Sequence, residues 1–138
     1  TGVQTCALPI SRQLDIARRN AFADLENWGF DVLAALRRVG APYQLSPSQL
    51  MQETMVTSGT ITNRLDRLEE LDLIKRNPDP NDGRGIIVTL TKSGMRTVDK
   101  AMEDLLSRER ELIKSLTKNE REELAKLLRE FSIPFDQN

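Results

Sequence analysis

The chain has 138 residues, of which 38% are hydrophobic and 30% charged, and its formal net charge is −1. This length suits one domain, or one core with a small appendage, and no apolar run is long enough to span a bilayer. The chain has no histidine and one cysteine, Cys6, which excludes ordinary zinc sites and histidine-based catalytic triads. We therefore predict no metal, no cofactor and no enzymatic activity. An unpaired cysteine fits the reducing cytoplasm, where we expect the protein to act.

The first eleven residues, TGVQTCALPIS, show no helical periodicity and meet a charged segment abruptly. They resemble a translated sequencing adapter more than a protein segment, and they lack the basic region of a signal peptide. We predict that residues 1–11 are not native, and we leave them out of the expected fold.

Two helices are predicted next. From Arg12 onward, apolar residues recur three and four positions apart, the pattern of one helix face: Leu14, Ala17, Ala21, Leu25 and Trp28. Asn27 and Gly29 interrupt this pattern before a second helix over residues 30–39, which Gly40-Ala41-Pro42 ends.

A capping box predicts a short third helix. Ser46-Pro47-Ser48-Gln49 supplies a hydroxyl N-cap, a proline at the first helical position and a glutamine three residues after the cap. The helix should cover residues 47–54, with Met55-Val56 as the turn that follows. Thr57 or Ser58 then caps a fourth helix that reaches about Leu71.

The fourth helix has two distinct faces. Its apolar face carries Ile61, Leu65, Leu68 and Leu71 and is expected to be buried. A rotation of about 100° per residue gathers a second set on another face: Thr60, Asn63, Arg64 and Arg67. Hydroxyl, amide and guanidinium groups read base edges and bind phosphates. Because this helix follows a short capped helix and a turn, we interpret it as a recognition helix and not as a solvated face.

A β-hairpin is predicted after this helix. Residues 73–76 and 84–90 read as strands, and residues 77–83 are rich in turn formers. Arg84 at the tip suits insertion into a narrow minor groove. Asp82 orients that arginine, shapes the turn, or does both. Residues 57–92 contain six Lys/Arg and six Asp/Glu, so affinity for DNA must come from how the charges are placed.

These motifs together resemble the MarR family of bacterial transcription regulators, over about residues 25–128. The resemblance rests on four segments: Phe30-Asp31-Val32-Leu33-Ala34-Ala35-Leu36, Leu65-Asp66-Arg67-Leu68, Asp82-Gly83-Arg84-Gly85 and Leu90-Thr91-Lys92-Ser93-Gly94. In the wing the family often has a further basic residue, where this chain has Gly83 and Gly85. The resemblance implies a winged helix–turn–helix whose N-terminal and last two helices intertwine with those of a second copy.

The C-terminal third predicts two helices with a surplus apolar face. Thr91 caps a long helix over residues 92–115, whose apolar spacing is close to a heptad. Thr117-Lys118-Asn119-Glu120 is a second capping box and opens the last helix. These two helices carry more apolar surface than one small module can cover, so we predict dimerisation. The alternative is an intrachain helical hairpin. The expected dimerisation residues are Val98, Met102, Leu105, Leu112, Leu124, Leu127, Leu128 and Phe131.

The predicted fold is mainly α with a small β-hairpin wing. Residues 12–27 and 91–138 form the helical dimerisation region, and residues 28–90 form the winged helix–turn–helix DNA-binding domain. The expected DNA-binding residues are Thr57, Ser58, Thr60, Asn63, Arg64, Arg67, Arg76, Asp82 and Arg84.

The predicted function is sequence-specific transcriptional regulation on double-stranded DNA. We expect a repressor that acts as a homodimer on palindromic operators and is released by a small aromatic ligand; the alternative is a winged-helix module that binds protein and not DNA. Candidate residues for an effector pocket are Trp28, Phe30, Tyr43, Met51 and Met55.

Overall fold

The structure, a computed structural model, describes residues 2–22 and 25–136. Within these residues the elements follow in the order α1 Gly2–Ala21, α2 Asn27–Arg38, β1 Gln44–Leu45, α3 Pro47–Thr54, α4 Ser58–Glu70, β2 Ile74–Asp79, β3 Asp82–Leu90, α5 Lys92–Leu112 and α6 Lys118–Ser132. A 3₁₀ turn, Ile133–Phe135, follows α6. The predicted class, mainly helical with a small β wing, is confirmed. Among the described residues, none of the helices has the length and apolar character that crossing a membrane requires.

The first helix differs from the prediction at both ends. It begins at Gly2 and includes residues for which no helix was expected, with Pro9 inside it and every side chain of residues 2–15 exposed. It ends at Ala21, because the chain turns there and brings Phe22 into the core, where its ring stacks on that of Phe30 with centroids 4.1 Å apart. Trp28 therefore belongs to α2. The non-native origin of residues 1–11, of which residue 1 lies outside the described part, stays a prediction.

The helix–turn–helix forms largely as predicted. At the start of α3, the Ser46 hydroxyl accepts from the backbone N–H of Gln49 at 3.1 Å, and the Ser46 N–H donates to the Gln49 side chain at 2.9 Å. Met55 ends α3 in the left-handed conformation, with φ 53°. In α4, the predicted apolar face is buried except at Leu71. The expected burial of Leu71 is wrong, because this residue is the C-cap of α4 and the chain leaves the core there.

The wing is a sheet of three strands, not two. β2 and β3 are antiparallel, with Ile74 opposite Leu90 and a register shift between Pro78 and Asp79. β1 pairs with the other edge of β3, so the order is β1-β3-β2. A strand of two residues is too short to show the alternation on which strand prediction depends. β1 ties the loop before α3 to the wing.

The core is aliphatic apart from the Phe22–Phe30 stack, and α5 contributes one face to it. Gly94, Val98, Ala101 and Leu105 are buried along α5 at spacings of four, three and four. This face packs against α1 and α2 of the same chain. The chain itself covers the side chains of Val98 and Leu105, which are 1% and 5% exposed, and their role in dimerisation stays a prediction.

The other six predicted dimerisation residues lie on the surface. Their exposed fractions range from 37% to 61%: Met102, Leu112, Leu124, Leu127, Leu128 and Phe131. α6 is the extreme case, because none of its 15 residues is buried. Apart from an edge-to-face contact between Phe131 and Phe135, the apolar stripe of α6 is left largely uncovered by the described part of the chain.

The start of α5 is fastened to the loop after α4. The Thr91 hydroxyl accepts from the Gly94 N–H at 2.9 Å and donates to the Asp72 carbonyl at 2.7 Å, and the Thr91 N–H donates to the Leu73 carbonyl at 3.1 Å. Gly94 lies so close to this loop that a Cβ atom there would be 2.1 Å from the Leu73 oxygen. The winged module and α5 are thus joined by backbone contacts as well as by the core.

Candidate nucleic-acid interface

The start of α4 differs from that of the other capped helices. Side chains cap α3, α5 and α6. Thr57 occupies the N-cap position of α4, but its side chain makes no capping hydrogen bond. Its hydroxyl instead pairs with that of Thr60 at 3.0 Å. The first backbone N–H groups of α4 are therefore left without a side-chain acceptor, which is the arrangement that suits a phosphate oxygen.

The predicted reading residues lie together along α4. Thr57, Ser58 and Asn63 are exposed, whereas Thr60 is half-buried beside Thr57. Arg64 and Arg67 follow one and two turns further along the helix. Hydroxyl and amide groups thus lie at the N-terminal end, and guanidinium groups lie towards the C-terminal end.

Arg64 and Arg67 share an aromatic contact that the sequence did not suggest. The guanidinium carbons of Arg64 and Arg67 lie 5.8 Å and 5.6 Å from the centre of the Trp28 ring. The indole N–H of Trp28 donates to the Glu26 carboxylate, and that carboxylate lies 4.0 Å from Nη1 of Arg67. No local signal could have revealed this contact, because Glu26 and Trp28 reach α4 only through the packing of α2.

Arg76, a predicted DNA contact, is half-buried and is bound by two carboxylates of α4. Its side chain donates to the Glu69 carboxylate at 2.6 Å and 2.9 Å, and its backbone N–H donates to the same group at 3.0 Å. Its Nη2 also lies 2.7 Å from Asp66. These hydrogen bonds lower the pKa of Glu69 and raise the pKa of Arg76. We call Asp66, Glu69 and Arg76 the α4–β2 clamp, because together they join α4 to strand β2.

The clamp also changes the charge balance of α4. Arg76 binds both Asp66 and Glu69 on one side of the helix, which leaves that side with a net charge of −1 instead of −2, while Arg64 and Arg67 lie on another side. The sequence held only a weak signal: Asp66 and Glu69 lie three residues apart on α4 and can share one cation, but neither segment alone shows that Arg76 of the following strand supplies it.

The wing tip combines a shaped turn with an open cation. The Asp82 carboxylate accepts from the backbone N–H of Arg84 at 3.1 Å, so Asp82 fixes the turn. Asp79 acts similarly on the N–H of Asn81 at 2.9 Å. Arg84 is exposed and, within the described residues, has no carboxylate within 4.0 Å of its guanidinium. At the wing tip, Arg84 therefore presents a positive charge that no described carboxylate pairs with.

The five candidate effector-pocket residues are not gathered at one place. Phe30 is in the core, and Met55 is 87% exposed. Met51 is partly buried, and Tyr43 lies under the Arg37 guanidinium at 5.6 Å. Trp28 alone of the five lines an open cavity of about 550 Å³ between the end of α1 and the start of α2. The other residues that line this cavity are Arg19, Phe22, Leu25, Glu26 and Asn27.

Comparison with known proteins identifies the family. The sequence model of the MarR family matches residues 23–85. The HTH-type transcriptional regulator PecS of Dickeya dadantii is 38% identical over 99 residues, which are 72% of this chain. The chain spans only 60% of the length of PecS. The multiple antibiotic resistance protein MarR of Salmonella typhimurium is 34% identical over 110 residues, covering 77% of this chain and 72% of that protein.

Solved structures agree with the sequence comparisons. A mutant of Escherichia coli MarR complexed with operator DNA matches with a TM-score of 0.76 at 25% identity, over 95% of this chain and 94% of that chain. Proteins of this family are DNA-binding transcription factors without enzymatic activity. The chain therefore belongs to the MarR family of winged-helix transcriptional regulators.

Proposed function

We propose that the chain is a sequence-specific repressor that binds a palindromic operator as a homodimer. The observation that carries the proposal is the division of charge on α4. Asp66 and Glu69 are bound by Arg76, while Arg64 and Arg67 remain available on another face. A module with no net positive charge in its sequence can in this way present a positive surface to DNA.

The proposed docking follows from this surface. The uncapped start of α4 enters the major groove, where Ser58, Thr60 and Asn63 reach base edges and phosphates. Arg64 and Arg67 bind the phosphate backbone or a guanine alongside. Arg84 at the wing tip enters the adjacent minor groove, whose negative potential attracts a guanidinium.

The surface of α6 supports the homodimer. Leu124, Leu127, Leu128 and Phe131 form an apolar stripe that no described residue of the chain buries. Leu14 of α1, which is 38% exposed, adds to the uncovered surface. A second copy that contributes the same helices buries both stripes in a symmetric interface. Two recognition helices then lie roughly 34–36 Å apart, about one turn of DNA, which requires a palindromic site.

A substitution in α6 tests the dimer. We expect Leu127→Glu to shift the protein to monomer at micromolar concentration in sedimentation velocity, because a carboxylate cannot be buried unpaired in the interface. The matched control is Lys126→Glu, which places the same charge at the neighbouring exposed position and should stay dimeric. If the Leu127→Glu protein stayed dimeric, α6 would not be part of the dimer interface.

The cavity beside Trp28 suits a small aromatic anion as effector. Arg19 supplies a cation at its wall and Trp28 an aromatic surface, beside the carboxylate of Glu26. A ligand there would lie between α1 and the module that carries α4, and would favour the dimer geometry that does not fit DNA. Titration with benzoate tests this: we expect Trp28 emission to change and bound operator to be released. Unchanged emission and unchanged DNA affinity would reject this cavity as the effector site.

The central experiment is selection of duplexes from a random library, followed by footprinting upstream of the protein's own gene. We expect an imperfect palindrome and protection of two adjacent major grooves. Arg84→Ala should weaken binding by roughly 1–3 kcal/mol and reduce the salt slope by about 1. Arg110→Ala, which removes the same charge at the far end of α5, should bind normally. Failure of the wild-type protein to enrich any sequence would favour a protein-binding module instead.

A further inference from the structure

We propose that Trp28 is a positioning residue for DNA reading, because its indole ring holds Arg64 and Arg67 of the recognition helix as a pair. This inference rests on the proposed function, since it assigns those two arginines to the DNA surface. It adds a residue of α2, outside the helix–turn–helix and the wing, to the parts that set affinity for the operator.

The indole ring of Trp28 contacts two cations, Arg64 and Arg67, and one anion, Glu26. Both guanidinium carbons lie within 6 Å of the ring centre, at 5.8 Å for Arg64 and 5.6 Å for Arg67. This is the distance range in which the negative face of an indole attracts a cation. Glu26 accepts from the indole N–H and faces Arg67 at 4.0 Å, so the ring is itself held in orientation.

The two arginines need such a partner. Arg64 and Arg67 are three residues apart on α4, so their side chains are neighbours and their charges repel. An arginine free in solution also loses rotamer freedom when it binds a phosphate. The indole ring offsets the repulsion and reduces the number of rotamers before DNA arrives. Arg67 remains accessible, because its side chain is 66% exposed.

The position of Trp28 is fixed by the residue that follows it. A Cβ atom at Gly29 would lie 2.8 Å from Cδ1 of Leu25 and 3.6 Å from Cδ2 of Leu68. The start of α2 therefore lies directly against α4, and Trp28 packs partly into the core beside it. A ring seated by backbone packing can position a flexible side chain, whereas a mobile ring cannot.

A double-mutant cycle on the full-length protein tests the proposal with the selected operator duplex. We expect Trp28→Leu to weaken binding by roughly three- to tenfold, the combined effect of two modest cation–π contacts. Trp28→Phe keeps an aromatic face and should retain most of the affinity. In the Arg64→Gln/Arg67→Gln background, Trp28→Leu should cause no further loss.

The outcomes separate the two proposals. A wild-type protein that binds no sequence specifically overturns the proposed function. Specific wild-type binding, with the same loss from Trp28→Leu in both backgrounds, assigns Trp28 to the fold alone and overturns this inference. Wild-type affinity of Trp28→Leu overturns it as well.

Fluorescence adds a readout that needs no DNA. Trp28 is the single tryptophan of the chain, so its emission reports only this site. We expect Arg64→Gln/Arg67→Gln to change the intensity or wavelength of that emission in the free protein. Arg110→Gln, at the far end of α5, should leave it unchanged. Identical emission from the double variant and the wild type would show that the guanidinium groups do not contact the ring, and the inference would fall.

Discussion

Substitution of Glu69 tests how much the α4–β2 clamp stabilises the fold. In Glu69→Ala, the backbone N–H and the guanidinium of Arg76 lose three hydrogen bonds, and among the described residues Asp66 is the carboxylate that remains at the guanidinium. At about 1 kcal/mol net for each hydrogen bond the loss would be roughly 3 kcal/mol. Partial exposure of the pair and the remaining Asp66 contact reduce this, so we expect about 2 kcal/mol.

The isosteric variant divides this loss into two parts. In Glu69→Gln, an amide oxygen can still accept from the backbone N–H of Arg76, but the negative charge is gone. We expect this variant to lose about 1 kcal/mol, since the charge-assisted part of the interaction is removed while the neutral part stays.

Acid should remove the difference between Glu69→Gln and the wild type. Hydrogen bonds from Arg76 hold the pKa of Glu69 in the folded protein below its ordinary value. The ionised carboxylate therefore stabilises the fold above roughly pH 4.3, its pKa in an unfolded chain, and this contribution is lost as the pH falls through the lower folded value. The stability of wild type and variant should converge in that acidic window.

Urea denaturation at one fixed protein concentration is the assay, because the stability of a dimer depends on concentration. Glu70→Gln is the matched control, since Glu70 is the neighbouring, exposed carboxylate on the same helix. Two results would refute the reasoning. One is equal stability of the Glu69→Gln and Glu70→Gln proteins at pH 7. The other is a difference between wild type and Glu69→Gln that grows as the pH is lowered.

Two backbone positions give further predictions, both measured by thermal and urea denaturation. Gly94→Ala should lower the free energy of unfolding by about 3 kcal/mol or more, because its Cβ would lie 2.1 Å from the Leu73 carbonyl oxygen and the backbone has to shift. Gly59→Ala is the control and should not destabilise the fold, because a Cβ there meets nothing within 4 Å. Met55→Gly should stabilise by about 0.5–1 kcal/mol, since the left-handed φ of 53° suits glycine and the Met55 side chain is mostly exposed. A less stable Met55→Gly protein would mean that its side chain makes contacts that outweigh the strain.

Local signals predicted the starts of α3, α5 and α6 well. The capping boxes at Ser46 and Thr117 form as expected, with the Thr117 N–H donating to Glu120 at 2.7 Å and its hydroxyl accepting at 3.2 Å. Such boxes depend on residues only three apart, so the sequence contains all the information they require. The apolar face of α4 was equally readable, because one helical period defines it.

Predictions that depended on distant partners succeeded less often. The spacing of Val98 and Leu105 reveals an apolar face of α5 but not which helix covers it. The same limit applies to Arg76, whose carboxylate partners lie on the preceding helix, and to the Trp28 contact with Arg64 and Arg67. In each case the contact joins two elements that are apart in the sequence, and the sequence of either element alone does not reveal it.

The attachment of α5 to the loop after α4 has a mechanical consequence. Thr91 donates hydrogen bonds to the carbonyl oxygens of Asp72 and Leu73 in that loop, and Gly94 packs closely against it, so the junction cannot bend without breaking these bonds. A rotation of α5 is therefore expected to move the recognition helix and the wing together with it as one rigid body. In a dimer, a small change in the crossing angle of the two α5 helices would produce a larger displacement of the DNA-reading surfaces, because these surfaces lie far from the crossing point.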